Sequence, residues 1–252
     1  MSEVVRYEVD GPVAWVTIDR PEARNALNRA VREGLFDAVR RFDDDAAARV
    51  LVLTGAGDQA FCAGADLKEM AETELRVPPP DFMPQLGRNI EVTKPTIAAV
   101  NGVAYAGGFL LAQMCDLCVA AEHARFAITE VTVGRGAPWA VPLPWLVAPR
   151  IALQLLLTGD PIDATRAYEV GLVNEVVPLS ALRETVQVLG ERIAGNAPLS
   201  VAAAKRMVHA TGPSPDAFDA AERLWEPVYM SEDAQEGPRA FREKREPRWQ
   251  GA

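Results

Sequence analysis

Two stretches of the chain could hold a developing negative charge with backbone atoms alone. Each is predicted as a strand, a glycine-bearing turn and the start of a helix, and they are FCAGADLKEM at 61–70 and KPTIAAVNGVAYAGGFLLAQMCD at 94–116. Such a turn leaves N–H groups unpaired and pointing outward, and Gly107 and Gly108 let another backbone approach closely. One such turn is more often only structural. Two of them facing each other would form an oxyanion hole.

Six blocks of the sequence occur in an order that is typical of one family. They are, along the chain, RPEARNALN, AFCAGADLKEM, KPTIAAVNG, the Gly107–Gly108 pair at a helix start, LLTGDPIDATRAYEVGLVNEVVP and EGPRAFREKREPRW. With these blocks the chain resembles the crotonase superfamily, the enoyl-CoA hydratase/isomerase group, nearly from end to end. The resemblance implies an enzyme that acts on CoA thioesters. It does not select the reaction, because one fold hosts many chemistries.

The resemblance also implies where a thioester would bind. The N–H groups of Ala63 and Gly107 would bind the thioester oxygen and stabilise an enolate. Coenzyme A, as part of the substrate, would lie along the first turn, with two basic side chains near its phosphates. Besides those two donors, the implied substrate-binding residues are Arg24, Gly64, Ala65, Asp66, Leu67, Leu110 and Lys244. No metal and no separate cofactor is expected.

The acid and base positions carry the most informative departure from the family pattern. The hydratases of this family use two Glu residues to handle one water, and the first lies three positions after the oxyanion glycine. Here that position is Leu110, whereas the second Glu matches Glu130 in FAITEVTVG. Water addition uses two proton-transfer groups, but a double-bond isomerase can work with one. The sequence therefore favours enoyl-CoA isomerisation, with Glu130 as the proton shuttle and its pKa raised by an apolar pocket.

Two alternatives stay open at this point. The first is an enoyl-CoA hydratase that recruits another group or an ordered water in place of the missing Glu. The second is a non-catalytic acyl-CoA-binding protein, which Leu110 favours and which Glu130 and the two oxyanion turns oppose. Arg135 is interpreted as a solvated surface residue in preference to a contact for a substrate carboxylate. Tyr229 is interpreted as helix packing in preference to a phenolic acid.

Composition limits the classes of partner. The chain has 252 residues with 26 basic and 35 acidic side chains, and its net charge of −9 argues against nucleic-acid binding. Three cysteines are an odd count that does not suggest a disulfide framework. The charged N-terminus lacks a secretory signal, and no apolar run is long enough to span a membrane. We expect a cytoplasmic protein with no membrane association.

The predicted elements give an α/β fold. The first 145 or so residues alternate as strand, strand and helix, and the last 100 are mainly helical. A helix over 28–43 should bury a face of Val31, Leu35, Ala38, Val39 and Phe42. Residues 73–90, with three consecutive prolines, are interpreted as a surface excursion over a ligand pocket.

The resemblance implies how these elements are assembled. It implies a crotonase-type spiral of ββα units over 1–195, followed by a C-terminal helical region over 196–252 that mediates trimerisation. The expected partner is therefore a second and third copy of the chain, as a homotrimer or a dimer of trimers.

Overall fold

A computed structural model describes residues 4–66, 69–70 and 75–251. It has an α/β architecture with two sheets. The strands of the described residues are β1 (Val5–Asp10), β2 (Val13–Ile18), β3 (Val50–Gly55), β4 (Ala60–Cys62), β5 (Thr96–Val100), β6 (Val103–Tyr105), β7 (Leu117–Ala121), β8 (Arg125–Ala127), β9 (Ile162–Asp163) and β10 (Glu175–Val177).

Helices separate the strands and dominate the last third of the chain. The α-helices of the described residues are α1 (Arg29–Asp44), α2 (Gly107–Gln113), α3 (Leu143–Leu146), α4 (Pro149–Thr158), α5 (Ala164–Glu169), α6 (Leu179–Ala194), α7 (Pro198–His209), α8 (Pro215–Met230) and α9 (Asp233–Glu243). Short 3₁₀ helices occupy Pro21–Ala23, Thr129–Val133 and Pro138–Ala140. The predicted α/β alternation and the helical C-terminal third are therefore confirmed.

The two sheets are mostly parallel. The larger has the order β1-β2-β3-β5-β7-β10, and only its β1–β2 hairpin is antiparallel. The smaller has the order β4-β6-β8-β9, with β4, β6 and β8 parallel. In a parallel sheet the carboxyl ends of the strands lie along one edge. The smaller sheet therefore brings the turns after β4 and β6 side by side.

Both faces of the larger sheet are covered. The predicted face of α1 is buried at all five positions, and the Asn28 side chain caps the helix by accepting the N–H of Val31 at 3.0 Å. On the opposite face, α6 buries Leu182 and Val186 in a cluster with Trp15. The central strands are thus apolar on both sides, as expected for a parallel sheet.

The C-terminal helices differ from α1 and α6 in their burial. Helix α7 contains no fully buried residue. The predicted boundary between 195 and 196 falls in the link between α6 and α7, and the division into two regions stays a prediction. Among the described residues, no helix is both long and apolar enough to cross a membrane.

Candidate active site

A cavity of about 520 Å³ lies where the smaller sheet ends. Its walls come from the turns after β4 and β6, the 3₁₀ helix Thr129–Val133, helix α8 and residues 75–85. The described part of the predicted excursion therefore does border a pocket, and Pro78, Pro79 and Pro80 line it. Leu27, Phe82 and Met83 make much of the remaining wall apolar.

The two glycine-bearing turns lie against each other. Gly64 has a φ of 97°, and a Cβ there would lie 2.8 Å from the Cβ of Ala106. Ala106 itself has a φ of 50° and a ψ of −118° immediately before α2, a conformation that costs an L-residue energy and is characteristic of functional turns. Packing of the two turns therefore holds the first turn of α2 and the Gly64 turn at a fixed separation.

The donors in these turns are not the pair that was expected. The N–H of Ala63 donates to the carbonyl oxygen of Arg24 at 3.0 Å, so the expectation that it binds a thioester oxygen is wrong. Two residues later, Ala65 lines the cavity together with Gly107. Neither the N–H of Ala65 nor that of Gly107 donates to an acceptor among the described residues. These two N–H groups are available to a ligand.

Glu130 lies in the 3₁₀ helix Thr129–Val133 and lines the same cavity. The residue as a whole is half-buried, but its Oε2 is buried and has no hydrogen-bond partner among the described residues. Burial raises the pKa of Glu130 to about 8, although hydrogen bonds from its own backbone and from Trp139 act in the opposite direction. A carboxyl group with such a pKa can both accept and donate a proton near neutral pH.

Leu110 is buried one turn into α2 and presents an apolar side chain to the cavity. No carboxylate therefore stands at the position where the hydratases of the family have their first Glu. Sequence reasoning missed other acidic side chains at the cavity, which are Asp219, Glu222 and Glu226 on α8. No local signal could have found them, because only the tertiary fold places α8 over a turn about 150 residues earlier in the chain.

Arg135 is not the solvated surface residue that we expected. It is 5% exposed and lines the cavity. Its guanidinium donates to the carbonyl oxygens of Leu75 at 3.0 Å and Arg76 at 2.6 Å, and it lies 4.9 Å from the ring centre of Tyr229. Tyr229 is buried in helix packing, as expected, and its hydroxyl donates to the carbonyl oxygen of Gly136 at 2.9 Å. It also lines the cavity.

The residues predicted to contact coenzyme A are only partly brought together. Arg24 is exposed beside the first turn, and Lys244 is exposed at the end of α9; neither is among the described residues that line the cavity. Asp66 forms an ion pair with Arg20 at 3.2 Å and accepts the N–H of Glu69. The phosphate-contact roles stay predictions. Leu67 lies outside the described residues.

The cavity offers no nucleophilic or metal-binding cluster within the described ranges. No group of three or more His, Cys, Asp and Glu side chains there could hold a metal ion. Cys62 is buried next to the first turn, and burial raises the pKa of its thiol to about 12, so it stays a neutral thiol. The chemistry available is backbone stabilisation of an oxyanion together with proton transfer by Glu130.

The chain is similar to known proteins along nearly its whole length. The family model for enoyl-CoA hydratase/isomerase matches residues 8–252. A carnitinyl-CoA dehydratase of Citrobacter koseri is 38% identical, with both chains fully covered. The crystal structure of a carnitinyl-CoA hydratase from Mycobacterium avium is 39% identical and superimposes with a TM-score of 0.89 over 100% of both chains.

A more distant solved relative shows the same architecture. The structure of an enoyl-CoA hydratase from Mycobacterium tuberculosis H37Rv is 34% identical, with a TM-score of 0.80 over 91% of this chain and 100% of that one. The α/β fold predicted from the sequence is therefore shared with solved enzymes.

Proposed function

Because the chain belongs to the enoyl-CoA hydratase/isomerase family, the crotonase superfamily of acyl-CoA enzymes, we propose that it reversibly adds water to a 2-enoyl-CoA. The names of its relatives, dehydratase and hydratase, favour this reaction over the isomerisation that Leu110 suggested. The observation that carries the proposal is the buried Glu130 carboxyl in one cavity with two free backbone donors.

The backbone donors stabilise the charge that develops during the reaction. As water adds to C3, the π electrons of the C2=C3 bond move toward the thioester oxygen and form an enolate. The N–H groups of Ala65 and Gly107 bind that oxygen. Because they are fixed by the packing of the two turns, they need no reorganisation, and the loss of one such donor costs about 3–4 kcal/mol of transition-state stabilisation.

Glu130 moves the proton. In the hydration direction its carboxylate takes a proton from the attacking water as the C3–O bond forms, and the protonated carboxyl then gives a proton to C2. The reverse order gives elimination of water. One group performs both steps because its pKa of about 8 lies close to neutral pH. The side chain of Leu110 excludes a second carboxylate from this wall of the cavity.

The rest of the assembly also belongs to this proposal. Coenzyme A enters as part of the substrate, with no separate cofactor, and Arg24 and Lys244 contact its phosphates. The protein works in the cytoplasm as a homotrimer or a dimer of trimers, without nucleic acid or membrane. The resemblance to the family supports the ligand and the assembly, and the net charge of −9 argues against nucleic-acid binding.

Isomerisation remains the second candidate because Leu110 stands where the hydratases of the family have their first Glu, so that Glu130 is the one carboxylate kept from that pair. Mass spectrometry of the products separates the two reactions. The purified protein is incubated separately with a trans-2-enoyl-CoA and with a 3-enoyl-CoA. We expect the 2-enoyl thioester to gain the mass of one water. Conversion of the 3-enoyl thioester into the conjugated isomer, with no gain of water by the 2-enoyl thioester, would instead establish the isomerase.

The role of Glu130 is tested by Glu130→Gln, which keeps the shape of the side chain but cannot transfer the proton. We expect kcat to fall by a factor of about 10²–10⁴, while the Kd for a saturated acyl-CoA changes little. Glu226→Gln, at another cavity carboxylate, is the matched control and should retain most of the activity. Full activity of Glu130→Gln would remove Glu130 from the mechanism, and binding without turnover in the wild-type protein would support the non-catalytic alternative.

A further inference from the structure

The buried charges of the described residues divide into one that is paired and one that is not. Arg135 and Glu236 are the charged side chains in the buried class. Glu236 accepts two hydrogen bonds from the guanidinium of Arg245, at 2.5 and 2.9 Å. Arg135 forms no ion pair with any described carboxylate. Its hydrogen bonds go to two neutral carbonyl groups, those of Leu75 and Arg76.

An unpaired buried cation destabilises the fold, because the free energy of hydration that the charge loses is offset only by a partner of opposite charge. The two carbonyl bonds use two of the five guanidinium N–H donors. Glu130 does not neutralise Arg135, because burial favours its protonated, uncharged form. Arg88, the other partly buried arginine at the cavity, is already paired with Glu222. Asp219 and Glu226 also line the cavity, but they are exposed and form no ion pair with Arg135. Arg135 is therefore a buried cavity cation with no carboxylate partner among the described residues.

The position of Arg135 indicates which part of a ligand would reach it. Its backbone N–H donates to the carbonyl oxygen of Glu130 at 2.8 Å, so the two residues belong to one continuous piece of the cavity wall. The thioester oxygen is expected at Ala65 and Gly107, and the proton transfer at Glu130. Arg135 lines the cavity, whereas Arg24 and Lys244, the basic residues proposed for coenzyme A, do not. We therefore assign the group that contacts Arg135 to the acyl part of the substrate.

We infer that Arg135 binds a carboxylate at the far end of the acyl group, so that the preferred substrates are CoA thioesters of dicarboxylic acids. The planar guanidinium fork matches a carboxylate and forms strong charge-assisted hydrogen bonds with it. The placement of the thioester, and with it of the acyl group, rests on the proposed function, but the binding preference can be measured without turnover. The preference must arise locally, because the net charge of −9 opposes an anionic acyl group.

A binding experiment with unreactive thioesters tests the inference without turnover. Isothermal titration calorimetry compares glutaryl-CoA with pentanoyl-CoA, which has the same chain length without the terminal carboxylate, and with 4-trimethylammoniobutanoyl-CoA, which ends in a cation. We expect glutaryl-CoA to bind the wild-type protein at least ten times more tightly than either of the others. Equal binding of the first two, or tighter binding of the cationic thioester, would overturn the inference.

Substitutions test whether the preference for glutaryl-CoA over pentanoyl-CoA arises from the side chain of Arg135. Arg135→Met should reduce the glutaryl-to-pentanoyl affinity ratio to about one, and Arg135→Lys should leave an intermediate ratio, because an ammonium keeps the charge but not the fork. Arg223→Met removes an exposed arginine at the same cavity and should keep the wild-type ratio. An equal loss for both thioesters in Arg135→Met, with a folded protein by circular dichroism, would mean that Arg135 only holds residues 75 and 76.

Turnover separates this inference from the proposed function. The wild-type protein is given glutaconyl-CoA, an unsaturated dicarboxylic thioester, and trans-2-pentenoyl-CoA. Hydration of both at equal kcat/KM would leave the proposed function standing and overturn the role of Arg135. A tenfold or greater preference in affinity for glutaryl-CoA, without hydration of either unsaturated thioester, would support Arg135 and contradict the hydratase.

Discussion

Burial in one cavity has different consequences for Glu130 and Arg135. It raises the pKa of Glu130 to about 8 and lowers the pKa of Arg135, in each case because the charged form loses its hydration. The ordinary pKa of arginine lies so far above neutral pH that Arg135 stays charged, whereas Glu130 is largely protonated at pH 7. Of these two buried groups, Arg135 is therefore the one that is charged at pH 7, although the chain as a whole is acidic.

The raised pKa of Glu130 predicts a pH dependence of stability. The unfolded carboxyl loses its proton near 4.5 and the folded one near 8, so between these values the native state binds more protons. The free energy of unfolding should then fall as pH rises, by up to about 1.4 kcal/mol per pH unit. Urea unfolding at pH 5, 6, 7 and 8 measures this, with Glu130→Gln as the reference. Parallel pH profiles for the two proteins would contradict the raised pKa.

The two single residues predicted wrongly from the sequence, Ala63 and Arg135, depend on one kind of physical cause. The motif around residue 63 indicates an oxyanion turn, but which N–H stays free depends on the carbonyl of Arg24, brought close by a separate part of the fold. The burial of Arg135 likewise depends on Tyr229, 94 positions later. Leu110 and Glu130 do line the cavity, to which the family resemblance had assigned them, and their roles stay predictions.

At the scale of elements, the periodicity of apolar residues was sufficient to predict a helix that buries one face in the core. The buried face of α1 was predicted at all five positions because a 3.6-residue repeat is visible in the sequence itself. Periodicity says nothing about how the first turn of α2 meets β4. That contact depends on Gly108, where a Cβ would lie 2.0 Å from the carbonyl oxygen of Cys62. The absence of a side chain there sets the distance between helix and strand.

Gly108→Ala should therefore push α2 away from β4. We expect a loss of about 1–3 kcal/mol in the free energy of unfolding, typical of overpacking, and a lower kcat, since α2 carries the N–H of Gly107. Gly195→Ala is the matched control, because its Cβ would meet backbone oxygens only at 3.4 and 3.6 Å and its φ is −70°. Urea unfolding and the hydration assay measure both variants. Equal behaviour of the two would show that α2 and β4 can move apart freely.

At the scale of the whole molecule, the described chain leaves apolar surface that its own core does not cover. Helix α7 has no fully buried residue, and two of its large apolar side chains are strongly exposed, Leu199 at 84% and Met207 at 68%. The contacts that hold this helix to the rest of the chain include the ion pair of Lys205 with Asp116 at 2.8 Å. Leu199 and Met207 are surface that the proposed trimer would bury.

The double variant Leu199→Glu/Met207→Glu should weaken that assembly, because each carboxylate would have to lose its hydration in an apolar interface. Light scattering after size-exclusion chromatography should give about three or six times the mass of the 27.3 kDa chain for the wild-type protein and a shift toward the mass of one chain for the variant. Val9→Glu adds a charge at an exposed position of the edge strand β1 and should leave the mass unchanged. If the double variant kept the wild-type mass, α7 would lie outside the interface, and its apolar side chains would need another explanation.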